Sequence, residues 1–318
     1  MRAKIKRSAN ADELTIREAF DMYIQKKEGM YVVDKTIKNY NNSLKKYLEV
    51  TQLKDTDNIK ECSEDEIYHF INGCRLRDLA PASINHYLRD IRAWLYWCME
   101  MEYIEPYKIK NIKAQEEKIK LYSEEDMEKL LEKPRPKDNY TTWRSWAITN
   151  WMFDNGNRAG TVCNIKLNDL NFTKHTISIS YTKQKKAQEL PMSSSLENCL
   201  KEFIRIWRAD VYDGYLFCNI GETKLTTDAL KHSYAKYCKD RDVEGKGLHA
   251  LRHTFAKNFI LNNGNPMKLQ KILGHSTLDM TKRYIRLFDT DLVADYDNYS
   301  PLDLMKKSSK RRMKVSRT

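Results

Sequence analysis

Leu248 to Leu287 reads LHALRHTFAKNFILNNGNPMKLQKILGHSTLDMTKRYIRL, and this stretch governs how the rest of the chain is read. On a helix, His249 and Arg252 lie three apart, so both project from one face and can converge on a single phosphate. An exposed H-x-x-R pair also arises by chance, and its weight comes from what surrounds it. Asn262-Asn263-Gly264-Asn265-Pro266 stops that helix and sets a proline to open the next. Leu273-Gly274-His275 then turns the chain sharply, which puts His275 at a turn instead of on an apolar stripe. Ser276 is placed to cap a further helix with Asp279 three residues on. Tyr284 falls on that helix among Lys282, Arg283 and Arg286, surroundings unusual for a core tyrosine.

Upstream, Trp143, Ala147, Ile148, Trp151 and Met152 form an apolar face that ends at Asn155-Gly156, where glycine suits a left-handed cap; Arg158 sits just past it. Thr176 to Tyr181 alternates with period two, and Ala187 to Met192 returns beside it after a lysine-rich turn, which predicts a hairpin. Further helices are expected over 194–208, 227–239, 248–262, 266–273 and 277–288. Ser123-Glu124-Glu125-Asp126 reads as a variant capping box opening a helix through Met127, Leu130 and Leu131.

The first hundred residues read as helices throughout. Ile16, Phe20, Tyr23 and Ile24 recur at helical steps, as do Ile37, Tyr40, Leu44, Tyr47 and Leu48. Leu79-Ala80-Pro81-Ala82-Ser83 opens a helix whose stripe is Ile84, Tyr87, Leu88, Ile91, Trp94, Leu95 and Cys98, with Arg77, Arg89 and Arg92 off it. The stripe is lost in EPYKIKNIKAQEEKIKL, an extended linker on this reading. The expected organisation is a basic tail over 1–12, a helical domain over 13–104, a linker over 105–121, a second, α+β domain over 122–300 and a basic tail over 301–318.

A chain of 318 residues with 41% hydrophobic and 31% charged side chains, 10 Gly and 7 Pro is expected to fold as two ordinary globular domains. No apolar run approaches a membrane span, and MRAKIKRS is unlike a secretion signal. Seven cysteines without a C-x-x-C pair argue against a disulfide framework or zinc ribbon and fit a reducing cytoplasm. The net charge of +12 suggests nucleic acid, but the tails hold 11 of those charges. Between them 45 basic residues face 44 acidic ones, so a DNA surface there must come from local segregation. Lys174 to Lys186, with four lysines and no carboxylate, and Asp240 to Asp289, with nine basic groups against five acidic, show such segregation. Either would also serve as a solvated charged face.

The Leu248 to Leu287 stretch resembles the tyrosine recombinase (phage integrase) family, whose pattern is H-x-L-R-H-T-F, then L-G-H, then a tyrosine nine residues after that histidine, here Tyr284. Gly156-Asn157-Arg158 matches the family's G-x-R at a helix end. Lys183, eight residues before Pro191, matches its hairpin lysine. IKLYSEEDMEKLL resembles the usual entry into the catalytic domain. The resemblance implies a mainly α fold with a small β-hairpin or sheet, an all-helical, SAM-like N-terminal core-binding domain and an α+β catalytic domain. One position departs: three after Arg158 the family commonly carries an acid, and here stands Thr161.

By that resemblance the catalytic set is Arg158, Lys183, His249, Arg252, His275 and the nucleophile Tyr284. The implied reaction is strand cleavage through a 3′-phosphotyrosyl link, leaving a free 5′-hydroxyl, with no metal and no cofactor. The sequence carries no phosphate-binding G-x-x-x-x-G-K-[ST] loop and no H-E-x-x-H. The chemistry suits the residues. Two guanidiniums can fork onto the oxygens of the transition state, and a lysine can protonate the departing 5′ oxygen. His249 either accepts the phenolic proton or bonds the phosphate, and His275 orients and stabilises an oxygen. Candidate DNA contacts are Arg77, Arg89, Arg92, Lys185, Lys186, Lys282 and Arg283; the three N-terminal arginines also read as surface salt-bridge partners, and Lys185 and Lys186 as solvated or backbone-contacting lysines. Implied partners are double-stranded DNA sites, a homotetramer joined in part by residues 289–305 docking on a neighbouring subunit, and accessory DNA-bending or directionality factors. The expected role is integration or excision of a mobile element through a Holliday junction. The alternatives are chromosome-dimer resolution, type IB topoisomerase-like relaxation, or a DNA-binding regulator without catalysis.

Overall fold

The computed structural model describes residues 13–114, 119–180, 187–211, 213–275, 277–278, 281–282 and 284. The chain divides into two compact units, residues 1–117 and 118–318, each with its own apolar core. Among the described residues the architecture is mainly helical with one small antiparallel sheet.

In the first unit, α1 (Ile16–Gly29) opens on a capping box in which the Thr15 side chain accepts from the Glu18 N–H while Glu18 accepts from Thr15. α2 (Asp34–Thr51), α3 (Glu64–Leu76) and α4 (Pro81–Glu100) complete the bundle, with proline opening α4 as its sequence requires. Phe20, Tyr23, Leu44, Tyr47, Phe70 and Trp94 are buried together, so the apolar stripes of the sequence meet in one core. Residues 105–112, read from sequence as a linker, are held on α4 instead. Asn85 exchanges two 2.9 Å hydrogen bonds with the Ile112 backbone, and Ile109 is buried in the core. An asparagine side chain that pairs with both a carbonyl and an N–H acts as a local strand edge, a signal with no periodicity to betray it.

The second unit is built around α6 (Tyr140–Asn155), which packs against α5 (Glu124–Leu131), α8 (Ser194–Trp207), α9 (Thr227–Lys239) and α10 (Leu248–Leu261). Burial on all sides of α6, with Arg144, Ser145 and Thr149 inside beside the tryptophans, makes it the central helix of this unit. It ends at Gly156, which adopts φ +61° and ψ +23°. The short α7 (Ala159–Val162) follows, with Arg158 as its N-cap. The sheet runs β1 (Leu170–Asn171), β2 (Thr176–Ile179), β3 (Gln188–Pro191), all neighbours antiparallel. The hairpin β2–β3 was legible in the alternation; the two-residue β1 was too short to carry one. α11 (Pro266–Leu273) ends at Gly274, φ +59°, and delivers the chain to His275.

Candidate active site

Two chain turns and one helix bring the site together. The left-handed cap at Gly156 ends α6 so that Arg158 emerges beside the C-terminus of α11; a Cβ there would lie 2.7 Å from Leu273 Cδ2 and collide with the Phe255 ring. α10 carries His249, Arg252 and His253. The cap at Gly274 swings His275 back toward α10. A cleft of about 460 Å³ lies among these turns, lined by Arg158, Thr161, Arg252 and His275 and by Gln188 and Glu189 of β3. The Gln188 side chain donates to the Lys271 carbonyl, which ties β3 to α11 at the cleft wall.

Arg252 is only 2% exposed. Its guanidinium donates to Gly156 O at 2.7 Å, to Leu273 O at 3.0 Å and to His275 Nε2 at 2.7 Å. Arg158 is half-buried, and its Nη1 makes longer bonds to Leu273 O (3.4 Å) and Gly274 O (3.3 Å). Two cations so close would repel strongly were they not facing carbonyl oxygens at a helix C-terminus, where partial negative charge collects. Burial, and then Arg158, lowers the Arg252 guanidinium to about 10, and burial lowers that of Arg158; at neutral pH both remain cationic.

Because an arginine can only donate, His275 Nε2 must be an acceptor, which leaves the proton on Nδ1 to be donated to Thr281 Oγ1 at 2.9 Å. Burial first, then Arg252 and Arg158, depresses His275 to about 4, so the ring is neutral at physiological pH. His249 is shifted downward by the same causes in the same order.

Tyr284 departs from the sequence reading, in which a tyrosine among cations was taken as unlike core. It is 4% exposed and belongs to an apolar cluster with Phe255, Ala256, Leu269 and Leu273. The ring lies parallel to that of His275, with centroids 6.4 Å apart. Its hydroxyl is not sealed in hydrocarbon, however: it lies 2.7 Å from His253 Nδ1. His253 was quoted within the sequence motif but given no role. Its signal was the four-residue step from His249, which stacks the two imidazoles edge to face at 4.5 Å on one face of α10.

The structure thus gathers Arg158, His249, Arg252, His275 and Tyr284. Lys183, Lys185, Lys186 and Arg283, the cap at Ser276 and Asp279, residues 289–305 and both basic tails lie outside the described residues. Lys282, two residues before Tyr284, is exposed. Arg77, Arg89 and Arg92 belong to the first unit and have internal partners. Arg77 donates to Gly73 O at 3.1 Å, Arg89 pairs with the buried Asp90 at 2.9 Å, and Arg92 bonds Ile109 O and Asn111 Oδ1 at 3.3 and 3.2 Å. Thr161 lines the cleft without offering the charge of the family's usual acid. Among the described residues, no three His, Cys, Asp or Glu side chains cluster as a metal set, and no helix is long and apolar enough to cross a membrane.

Residues 120–291 match the model of the phage integrase family. Tyrosine recombinase XerC of Thermodesulfovibrio yellowstonii is 24% identical over 278 residues, covering 84% of this chain and 90% of that one. A probable integrase/recombinase of Acholeplasma phage L2 is 29% identical over 163 residues, covering 51% and 55%. Among solved structures, a lambda integrase tetramer bound to a Holliday junction superposes with a TM-score of 0.68 at 15% identity, covering 86% of this chain and 78% of that one.

Proposed function

Since this chain belongs to the phage integrase family of tyrosine recombinases, enzymes that break and rejoin DNA, we propose that it exchanges DNA strands at specific sites through a 3′-phosphotyrosyl intermediate at Tyr284. The observation that carries this reading is the convergence of Arg158, Arg252 and His275 on one cleft wall, with the Tyr284 ring stacked on His275.

A scissile phosphate entering the cleft takes over the two guanidiniums, whose charges stabilise the oxygens of the pentacoordinate transition state. Tyr284 Oη attacks phosphorus, the P–O5′ bond breaks, and Lys183 supplies the proton to the departing 5′ oxygen. His249, neutral and beside both arginines, bonds a nonbridging oxygen. His275 already accepts from Arg252 and orients it. Rejoining is the reverse, with the 5′-hydroxyl of a second strand as nucleophile. Phenolate, with a reference pKa of about 10, leaves more readily than an alkoxide, which keeps the exchange reversible. No step calls on a metal or a cofactor.

Exchange between two duplexes needs four such sites, so the working assembly on this reading is a tetramer on a Holliday junction, completed by residues 289–305 of each subunit docking on its neighbour and by accessory DNA-bending or directionality factors. The seven buried, unpaired thiols suit a reducing cytoplasm. Movement of a mobile element is the role proposed, supported by the likeness to a phage integrase/recombinase. The near full-length likeness to XerC supports chromosome-dimer resolution as the second reading.

The test is a covalent trap. Wild type is incubated with a random-sequence library of nicked duplexes, linked DNA is recovered after denaturation and sequenced, and Tyr284→Phe is run beside it. A linked product from wild type alone supports the reading; equal product from Tyr284→Phe removes Tyr284 from its role. Recovered sites that map to an element end and a host target support mobility, whereas one paired site on a chromosome supports resolution. A 5′-thio leaving group, which needs no strong acid, should rescue Lys183→Ala.

A further inference from the structure

The phenolic oxygen that does the attacking is held by neither His249 nor His275. It lies 2.7 Å from Nδ1 of His253, one residue past the buried arginine. His275 is unsuited to take its proton, because its Nε2 lone pair faces Arg252 and its Nδ1 carries the hydrogen donated to Thr281. His249 stands beyond His253, edge to face at 4.5 Å, and beside the two arginines. The ring order is therefore His249, His253, Tyr284, with the His253 and Tyr284 centroids 5.6 Å apart. His253 is also more exposed than Tyr284, so an imidazolium formed there remains within reach of solvent.

We infer that His253 is a further catalytic residue, the proton acceptor for Tyr284 during cleavage and the proton donor to it during rejoining. This rests on the reading of Tyr284 as nucleophile. As the Oη–P bond forms, the phenolic proton passes to His253 Nδ1. As the P–O5′ bond breaks, the 5′ oxygen takes a proton from Lys183. The protein ends the step with one proton moved onto His253 and one removed from Lys183, and rejoining restores both. His249 stays free to bond the phosphate, which divides the two histidine roles that spacing left open.

The experiment measures single-turnover formation of the covalent complex on nicked duplexes recovered with wild type. His253→Ala and His253→Gln are each made with tyrosine or with a more acidic trifluorotyrosine at 284. Glutamine can still accept the hydroxyl's hydrogen bond but cannot carry its proton away. The expected result is a loss of about 100-fold or more for both variants with tyrosine, and recovery of at least tenfold of that loss with trifluorotyrosine, which needs less help to ionise. Wild-type rates in His253→Ala would overturn the inference. So would wild-type rates in His253→Gln, or a deficit that phenol acidity leaves unchanged, since these mark a role in positioning alone. DNA binding by gel shift separates misfolding from lost chemistry. If Tyr284→Phe still forms the complex, the nucleophile assignment itself falls; a dead Tyr284→Phe beside a fully active His253→Ala removes only His253.

Discussion

Arg158 and Arg252 end on one acceptor: Nη1 of the first and Nη2 of the second both donate to Leu273 O, at 3.4 and 3.0 Å. The two cations come from elements nearly a hundred residues apart in sequence, and one peptide oxygen sets their spacing. They are not equivalent. Arg252 is buried with three short bonds, whereas Arg158 is half-buried with long ones.

Substitution by lysine should separate the two. Arg252→Lys takes the guanidinium donor from Gly156 O and leaves Leu273 O with only its long bond from Arg158, in a buried site, at a cost of about 1–3 kcal/mol in stability. Arg158→Lys should stay within about 1 kcal/mol of wild type. Both should slow covalent-complex formation by about 100-fold or more, because an ammonium cannot fork onto phosphate oxygens. Urea unfolding and single-turnover cleavage provide the two readouts; an Arg252→Lys protein as stable as wild type would contradict the role given to its carbonyl bonds.

The site should also lose stability in mild acid. An unfolded histidine takes its proton near 6.5, while His275 in the folded chain does so at about 4. Between those values the unfolded state binds more protons, so stability is full above about 6.5, falls as pH drops toward 4, and levels off below. His275 alone accounts for up to about 3 kcal/mol of that loss, and His249 acts in the same direction. Unfolding curves at pH 7 and 4.5 should converge in slope with pH for His275→Gln relative to wild type; an identical pH dependence in both would show that His275 does not titrate as described.

Gly156 is held at φ +61° with Phe255 and Leu273 against its α-carbon. Gly156→Ala adds left-handed strain to a steric clash, for a combined cost of about 2–4 kcal/mol. Since the same turn aims Arg158, cleavage should fall further than stability explains. Thermal unfolding and cleavage of the folded fraction, measured at a temperature where the variant is intact, check both halves.

On the proposed function, Tyr284 packs and reacts with different atoms. Removing only the hydroxyl, in Tyr284→Phe, should abolish covalent capture of DNA while changing stability by less than about 1 kcal/mol. Tyr284→Ala should cost about 3–5 kcal/mol, as the ring leaves the cluster with Phe255, Leu269 and Leu273. Equal stability for the two variants would mean that the ring is not docked in solution as it is in this structure.

Local signals carried much of this fold. Ser123, Thr226 and Asn265 each cap the helix they precede, and Gly156 and Gly274 each end one in the left-handed region. Capping is short-range chemistry, so it can be read from three or four residues. The apolar stripe of α4 is equally plain in its spacing. What stayed hidden depends on contacts between distant segments: Asn85 on Ile112, the carbonyl ligands of the arginines, the burial of Tyr284 and its bond to His253. The last was concealed by the very motif that revealed the site. His249, Arg252 and His253 stand within five residues, and sequence spacing cannot rank two imidazoles on the same helical face.

The turn at Gly274 gives the two guanidiniums internal hydrogen-bond acceptors. On the proposed function, a substrate oxygen takes the place that the peptide oxygens of Leu273 and Gly274 hold in the guanidinium shell, so binding is an exchange of one oxygen for another. A carbonyl is a dipole and leaves the charge of each guanidinium in place, so an incoming phosphate gains full ion pairing in return for the peptide hydrogen bonds it displaces.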